Sequence, residues 1–270
     1  MRCPSLWLVV IAVIATSPVS PVRAGPTGDV MTLDVLPGWR TDRGTQMAGL
    51  RFTLAPGWKT YWRTPGSAGI APQFDWSGSR NLQSAVIDWP VPEIHRSAGV
   101  TTLVYSGQVV LPVEITPMAE GEEIRLAGTV DLGVCEDICV PLTIPFSAVL
   151  TDDSRIDPAI AAALAARPLT AQEAGVTATG CDAAATGEGL SLTVSLDIPD
   201  DGGQQVVVIE PGVEGVWVSD ARTERRDGLL SATVDVIAAD GGPLAVDRSN
   251  LRITVVDATR AVEIRGCSTG

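Results

Sequence analysis

The chain is a succession of short apolar runs, rich in β-branched residues, that are interrupted by Pro, Gly and Asp. Runs of this length, bounded by turn residues, are typical of β-strands. The first half predicts strands at Ala48–Leu54, Ser84–Trp89, Gln108–Thr116, Ile124–Val134 and Val140–Leu150. Many short strands in succession favour a β-sandwich.

A second β-rich region runs from about residue 178 to the end, with Asp-Gly turns between its runs. Its predicted strands are Leu190–Leu196, Gln205–Ile209, Val216–Ser219, Leu229–Val236, Leu251–Val256 and Ala261–Ile264. The segment Ala159–Ala166 between the two regions predicts a short helix, because Asp157 suits the N-cap and Pro158 the first helical position. The fold class is therefore all-β, with two tandem β-sandwiches joined by a short helical linker.

The N-terminal segment Met1–Ala24 has the pattern of a secretory signal peptide. It has Arg2 at its start, a ten-residue apolar core at Leu6–Ala15 that is too short to span a bilayer, and small residues before Gly25. We expect cleavage near Ala24 and an exported protein that is not embedded in the membrane. The predicted division of the chain is a signal peptide at 1–24, a sandwich at 25–152, a linker at 153–177 and a smaller sandwich at 178–270.

The charge and the residue inventory narrow the possible chemistry. The 270 residues include 19 Lys and Arg against 32 Asp and Glu, a net charge of −13. An acidic chain of this kind lacks the basic face that nucleic-acid binding requires. Its single His, His95, and single Lys, Lys59, argue against His-rich metal sites and lysine Schiff-base sites. Cysteine chemistry, carboxylate chemistry or no chemistry remain, with no cofactor predicted.

Four cysteines remain once Cys3 leaves with the signal peptide, an even number that suggests two disulfides in an oxidising compartment. Cys181 and Cys267 flank the second region, so we interpret them as a structural disulfide. Cys135 and Cys139 would face each other at the tip of a hairpin, at a separation that permits a disulfide. The three-residue loop between them has no Gly for a left-handed position, so we expect strain and an easily reduced bond.

Sequence geometry alone leaves this close pair open between an exchange site and a hairpin staple. Glu136 and Asp137 lie between the cysteines and disfavour a thiolate. Reactivity would then depend on a partner or on residues that folding brings close, for which His95 is a candidate. Two thiols could also hold Cu(I), but the remaining methionines are scattered and offer no thioether cluster. A further alternative is a non-catalytic tandem sandwich that binds proteins and uses both disulfides as staples.

An ordered set of motifs in the first half resembles a known family. The motifs are Pro56-Gly57-Trp58-Lys59-Thr60-Tyr61-Trp62-Arg63-Thr64-Pro65-Gly66, Phe74-Asp75-Trp76, Trp89-Pro90-Val91-Pro92, Tyr105-Ser106-Gly107, Leu111-Pro112-Val113 and Val134-Cys135-Glu136-Asp137-Ile138-Cys139-Val140-Pro141. They are similar to the N-terminal periplasmic domain of the thiol:disulfide interchange protein DsbD, particularly to the variant in suppressor-of-copper-sensitivity protein B. The resemblance covers about residues 30–150.

This resemblance implies an immunoglobulin-like sandwich and a periplasmic protein-disulfide oxidoreductase, with links to cytochrome c-type biogenesis and copper tolerance. In the family, electrons from cytoplasmic thioredoxin cross the membrane and leave through this domain to periplasmic thioredoxin-like proteins. The implied roles are attack on the partner by Cys139 and resolution of the mixed disulfide by Cys135. The electron donor would be a separate membrane-spanning reductase.

The chain departs from the family in the spacing of the pair, Cys-x3-Cys, and in the loop that shields it. The family's shielding loop has an aromatic tip, whereas the corresponding His95-Arg96-Ser97-Ala98-Gly99 has none. The resemblance therefore leaves the shielding to another residue, such as Tyr61 or Trp58.

Overall fold

Strand pairing dominates the computed structural model, which describes residues 30–150, 155–200 and 202–269. The predicted signal peptide, residues 1–24, lies outside the described residues. Two pairs of sheets account for the strands, one pair before and one pair after a single described α-helix. The prediction of an all-β chain with two tandem sandwiches and a helical linker is confirmed.

The first sandwich is built from a four-stranded and a six-stranded sheet. Its strands are β1 (Met31–Arg40), β2 (Gln46–Leu54), β3 (Lys59–Tyr61), β4 (Gln73–Asp75), β5 (Ser84–Ile87), β6 (Glu93–Ser97), β7 (Val100–Ser106), β8 (Gln108–Thr116), β9 (Ile124–Cys135) and β10 (Cys139–Leu150). The first sheet has the order β1-β2-β8-β5, and the second has the order β10-β9-β3-β7-β6 with β4 paired to β9.

Alternation along the strands separates the core of this sandwich from its outer faces. In β9, Val130, Leu132 and Val134 are buried in the main apolar cluster. Cys135, one position further, therefore lies on the opposite face of the same sheet, where it packs in a separate small cluster with Tyr61 and Val104. The cysteine pair is thus attached to the outside of the sandwich.

The second sandwich has the sheets β11-β19-β18-β14 and β15-β17-β13-β12-β20, with β16 paired to β17. Its strands are β11 (Leu169–Thr170), β12 (Ala178–Ala185), β13 (Leu190–Asp197), β14 (Val206–Glu210), β15 (Val216–Val218), β16 (Arg222–Arg226), β17 (Leu229–Ala238), β18 (Arg252–Val256), β19 (Ala261–Arg265) and β20 (Ser268–Thr269), with a 3-10 helix at Arg248–Asn250. Residues from both sheets form its own apolar cluster.

The predicted linker helix is present as α1 (Pro158–Ala165), capped by the Asp157 carboxylate, which accepts hydrogen bonds from two backbone N–H groups of the first turn. Its one fully buried side chain, Ile160, packs against Val110 and the backbone of Gly49 on the first sandwich. After the helix, β11 pairs in parallel with β19 of the second sandwich. The described part of the predicted linker, residues 155–177, is therefore divided between the two sandwiches and is not a free tether.

The two sandwiches share an apolar interface that the sequence does not reveal. Val256 and Ala261, on the outward face of the sheet β11-β19-β18-β14, belong to the apolar cluster of the first sandwich. The same face carries Glu210 and Glu263, and both carboxylates pair with Arg63 of the first sandwich. Apolar contact and ion pairing together fix how the sandwiches meet.

Candidate functional site

The predicted pair lies at the tip of the hairpin formed by β9 and β10. Cys139 is the direct cross-strand partner of Cys135, and the two are joined by a disulfide with a Cα–Cα distance of 4.1 Å. Twelve consecutive residue pairs hold the two strands in register down to Leu150 and Ile124. Long, regular pairing below the tip brings the two sulfurs together.

The conformation of the tip corrects one expectation. None of Glu136, Asp137 and Ile138 has a positive φ, so the loop closes without the left-handed residue that the sequence was expected to require. The Glu136 N–H donates to the carbonyl oxygen of Ile138, at 3.2 Å. The prediction of backbone strain is therefore wrong, and the reactivity of the disulfide depends on the residues around it.

The two sulfur-bearing residues differ in exposure. Cys135 is 7% exposed, whereas Cys139 is exposed and is the first residue of strand β10, at the edge of its sheet. Ile138, next to Cys139, is 70% exposed. A protein partner would therefore meet Cys139 before Cys135.

Tyr61 is the side chain in contact with the disulfide. Its hydroxyl oxygen lies 3.0 Å from Cys135 Sγ and 3.5 Å from Cys139 Sγ. Because the sulfurs of a disulfide have no proton, the hydroxyl is the donor. Burial raises the pKa of Tyr61 above its ordinary value, so the hydroxyl keeps its proton. The prediction that Tyr61 neighbours the cysteines agrees with this position.

Lys59 is the residue near the pair that sequence reasoning missed. Strand β3 pairs with β9 so that Lys59 is directly opposite Cys135, on the same outer face of the sheet. Directly opposed residues have Cβ atoms about 4.5–5.5 Å apart. The Lys59 ammonium donates to the Gly57 carbonyl at 3.2 Å. The sequence signal that could have found Lys59 is strand alternation, because Lys59 and Tyr61 are two positions apart in one strand and therefore lie on the same face.

Two of the predicted neighbours are not at the site. Trp58 packs against the main apolar cluster, on the inner side of the sheet. His95 lies in β6, three strands away from β9 and opposite Thr102. At about 4.8 Å a strand, His95 is about 14 Å away across the sheet. His95 is therefore not the expected neighbour of the cysteines, because its strand β6 pairs with β7 at the far edge of the sheet.

The acidic residues of the tip are exposed. Glu136 bends back over the turn before β3, where a Cβ atom added to Gly57 would lie 2.3 Å from its carboxylate oxygen. Asp137 is exposed at the end of the hairpin. Both acidic residues are therefore exposed beside Cys139 in the chain.

A short segment, Pro65–Ile70, covers the outer face beside the disulfide; we call it the cover segment. A Cβ atom added to Gly133 would lie 3.0 Å from the Ile70 side chain, so Ile70 packs directly on β9 two residues before Cys135. A Cβ atom added to Gly69 would lie 2.9 Å from the Tyr61 ring. Tyr61 thus contacts both sulfurs, and the cover segment packs on Tyr61 and on β9 beside them.

The other two cysteines form a second disulfide. Cys181 and Cys267 are bonded with a Cα–Cα distance of 5.8 Å and a sequence separation of 86. Cys181 is 1% exposed and belongs to the core of the second sandwich. The bond joins β12 to the segment that leads into β20, so it holds β20, the last strand, beside β12 in the sheet.

The described residues include neither a metal-ligating cluster nor a membrane-spanning helix. No three or more His, Cys, Asp or Glu side chains are grouped so that they could hold a metal ion. No helix among the described residues has the length and apolar character needed to cross a membrane.

Fold and site together define a class: immunoglobulin-like β-sandwich domains with a cystine at the tip of a hairpin. Residues 32–151 match the family model described as "Thiol:disulfide interchange protein DsbD, N-terminal". The resemblance predicted from the ordered motifs is confirmed for the first sandwich.

A solved structure extends the likeness to the second sandwich. It is the crystal structure of the N-terminal periplasmic domain of ScsB from Proteus mirabilis, which is 26% identical in sequence, with a TM-score of 0.65. The alignment covers 92% of this chain and 97% of that chain. A search of curated proteins gives no significant match.

Proposed function

We propose that the protein is a periplasmic thiol–disulfide exchange protein that passes reducing equivalents to a thioredoxin-like partner through Cys135 and Cys139. The observation that carries the proposal is the asymmetric disulfide at the hairpin tip, with Cys139 exposed and Cys135 buried under Tyr61. The family match over residues 32–151 supports the same chemistry. The periplasmic location rests on the predicted signal peptide and on the similar periplasmic domain of ScsB.

The exchange transfers two electrons in two steps. In the reduced protein, the Cys139 thiolate attacks one sulfur of the partner disulfide, and the partner's other sulfur leaves as a thiolate. The Cys135 thiolate then attacks Cys139 Sγ, which forms the internal disulfide and releases the partner as a dithiol. The starting dithiol is restored by a separate membrane-spanning reductase.

The surroundings of each sulfur fit these roles. Cys139 is accessible to a second protein, as the attacking sulfur must be. Cys135 has the Tyr61 hydroxyl at 3.0 Å and Lys59 directly opposite, a donor and a cation that both favour a thiolate. These contacts offset the two carboxylates that the sequence places between the cysteines.

Trapping the mixed disulfide tests the proposal. In Cys135→Ala, Cys139 has no resolving thiol, so we expect a stable disulfide-linked complex with an oxidised thioredoxin-like protein from the same periplasm. Cys139→Ala is the matched control and should trap nothing, because the remaining thiol is buried. Non-reducing electrophoresis and peptide mass spectrometry identify the linked cysteine. Absence of a Cys139-linked complex contradicts the proposal.

One observation favours the alternative of a non-catalytic binding module. A cleft of about 1170 Å³ separates parts of the two sandwiches, and Trp217, 51% exposed, is among its lining residues. The reduction potential of the Cys135–Cys139 bond separates the two functions. A value below about −300 mV indicates a structural staple, and a value nearer to those of exchange proteins indicates redox function.

A further inference from the structure

The chain between Tyr61 and Ile70 touches both the disulfide and the second sandwich. At one end the Tyr61 hydroxyl contacts both sulfurs, and Ile70 packs on β9 at Gly133. Gly69 lies against the Tyr61 ring, which closes the gap between these two contacts. The cover segment and Tyr61 thus form one continuous lid beside Cys135.

The middle of the same stretch is held from the second sandwich. The Asp220 carboxylate accepts hydrogen bonds from the Ser67 N–H at 2.9 Å and from the Ser67 hydroxyl at 2.6 Å. The Glu210 carboxylate accepts one from the Thr64 hydroxyl at 3.0 Å. Glu210 also pairs with Arg63 at 2.9 Å. Both carboxylates belong to elements beyond the linker helix.

The second sandwich is well placed to act as an anchor, because its outward sheet is packed on the first sandwich through apolar side chains. Glu210 lies on that sheet and so has a defined position relative to β9, while Asp220 lies in the turn between β15 and β16, on the other sheet of the same sandwich. The cover segment has four glycines or small residues, Gly66, Ser67, Ala68 and Gly69, and no strand pairing of its own. Its position therefore depends on contacts at its two ends and at Ser67.

We propose that the second sandwich holds the cover segment over Cys135, so that a partner reaches Cys139 alone. Asp220 and Glu210 are then positioning residues, which act on the cysteine pair through the cover segment. The inference rests on the proposed exchange function and gives the second sandwich a role in it. Directing the partner to Cys139 keeps Cys135 free as the resolving thiol.

Alkylation of single thiols tests this inference without a partner. In protein that lacks residues 1–24 and carries Cys139→Ser, Cys135 is the one thiol outside the Cys181–Cys267 disulfide, and its rate with iodoacetamide reports access. Adding Asp220→Ala should raise that rate about five-fold, the size expected for one net hydrogen bond. Asp220 is exposed, so thermal unfolding should stay the same. Glu224→Ala removes an equal charge from an exposed pair in the second sandwich and should leave the rate unchanged.

A second variant at the opposite end shows whether the anchor acts through the cover. Ile70→Ala should also raise the Cys135 rate, and Asp220→Ala added to it should contribute little, because the cover is already open. In a Cys135→Ser background, Asp220→Ala should leave the Cys139 rate unchanged. Equal rates for Asp220→Ala and Glu224→Ala, or an equal increase at both cysteines, would overturn the inference.

Failure here is distinguishable from failure of the exchange function. If Cys135→Ala traps a partner through Cys139 while Asp220→Ala leaves Cys135 access unchanged, the exchange function stands and the anchoring role is wrong. If Asp220→Ala exposes Cys135 but no variant traps a partner, the second sandwich controls access to a bond without exchange function, and the proposed function is wrong.

Discussion

At the residue scale, the disulfide depends on a few side chains of the short strand β3. Tyr61 and Lys59 lie on its outer face, beside Cys135, while Trp58 and Trp62 turn into the core. Strand β3 thereby places the Tyr61 hydroxyl and the Lys59 side chain beside Cys135, whereas the loop of the hairpin places two carboxylates near it. The chemistry of the pair is determined by this cross-strand arrangement more than by the sequence of the loop.

Replacing Tyr61 with Phe removes the hydroxyl that donates to Cys135 Sγ. A thiolate accepts a hydrogen bond more strongly than a disulfide sulfur, so the reduced form loses more stabilisation than the oxidised form. We expect the reduction potential to become more negative by about 20 mV, which corresponds to about 1 kcal/mol. Equilibration with glutathione buffers measures the reduction potential of the wild type and of the variant.

The chain provides a matched control in its other tyrosine. Tyr105 is buried in the core, and its hydroxyl donates to the Pro90 carbonyl oxygen at 2.6 Å. Tyr105→Phe should lower stability by about 1 kcal/mol and leave the potential unchanged. An equal shift of potential in both variants would show that the Tyr61 contact has no specific effect.

Lys59→Gln tests the cation opposite Cys135. Lys59 lies directly opposite Cys135 and its positive charge favours the Cys135 thiolate, so the second step of exchange, attack by that thiolate, should slow about two- to four-fold at neutral pH. Lys59→Arg should restore most of the rate, and added salt should weaken the difference between wild type and Lys59→Gln. Stopped-flow measurement of partner release checks this. A salt-independent loss that Arg leaves uncorrected would argue against a charge effect.

At the scale of elements, sequence patterning predicts several strands closely and misses others, among them β1, β7 and β12, which are ten, seven and eight residues long. Gln108–Thr116 is observed with the predicted bounds, and β9 and β10 each extend one residue beyond prediction to include the cysteines. These strands have long apolar runs with clear turn residues. In contrast, β3 and β6 are three and five residues long, too short for a recognisable period.

The same limit explains which site residues could be predicted. Cys135 and Cys139 are close in sequence, so a hairpin was enough to pair them. Lys59 and His95 are both far from the cysteines in sequence. Only the strand order β9-β3-β7-β6 shows that Lys59 lies near Cys135 and that His95 does not. Strand order depends on packing across the whole sheet, which local pattern does not specify.

The two disulfides should differ in what their removal does. Closing a loop with a separation of 86 lowers the entropy of the unfolded chain far more than closing one with a separation of 4. The chain-entropy relation gives about 4.6 kcal/mol for Cys181–Cys267 and about 2 kcal/mol for Cys135–Cys139. We expect C181S/C267S to destabilise the second sandwich strongly in urea unfolding, while C135S/C139S costs less.

Activity should follow the opposite order. C135S/C139S removes both reacting sulfurs and should abolish exchange, whereas any C181S/C267S protein that stays folded should retain it at low temperature. A C181S/C267S variant as stable as the wild type would contradict the structural role of the second disulfide.

At the scale of the whole molecule, the ion pairs of one arginine connect the sandwiches. Arg63 lies over the Trp62 ring at 4.0 Å, and its guanidinium pairs with Glu210 at 2.9 Å and with Glu263 at 3.0 Å. Its side chain is 10% exposed, and the two carboxylates are about one-fifth exposed. Around it the interface is apolar, so the pairs are partly shielded from water and from salt.

Arg63→Met should therefore separate the sandwiches more than it harms either one. It leaves Glu210 without its ion-pair partner, while Glu263 keeps Arg252 and Arg265, and the unpaired, largely buried carboxylate costs about 2–4 kcal/mol. We expect small-angle scattering to show a larger radius of gyration and proteases to cut near α1. Arg222→Met, which breaks an exposed pair with Asp235, should change stability by less than about 0.5 kcal/mol.

Adding Glu210→Gln and Glu263→Gln to Arg63→Met distinguishes repulsion from lost packing. The glutamines remove the carboxylate that Arg63→Met leaves unpaired and the second charge beside it, so compactness should return in large part if electrostatics causes the separation. Because Glu210 also holds Thr64, the triple variant should recover the contact between sandwiches without fully restoring the cover over Cys135. A compact Arg63→Met protein would instead show that the apolar face of β14, β18 and β19 is sufficient to hold the sandwiches together.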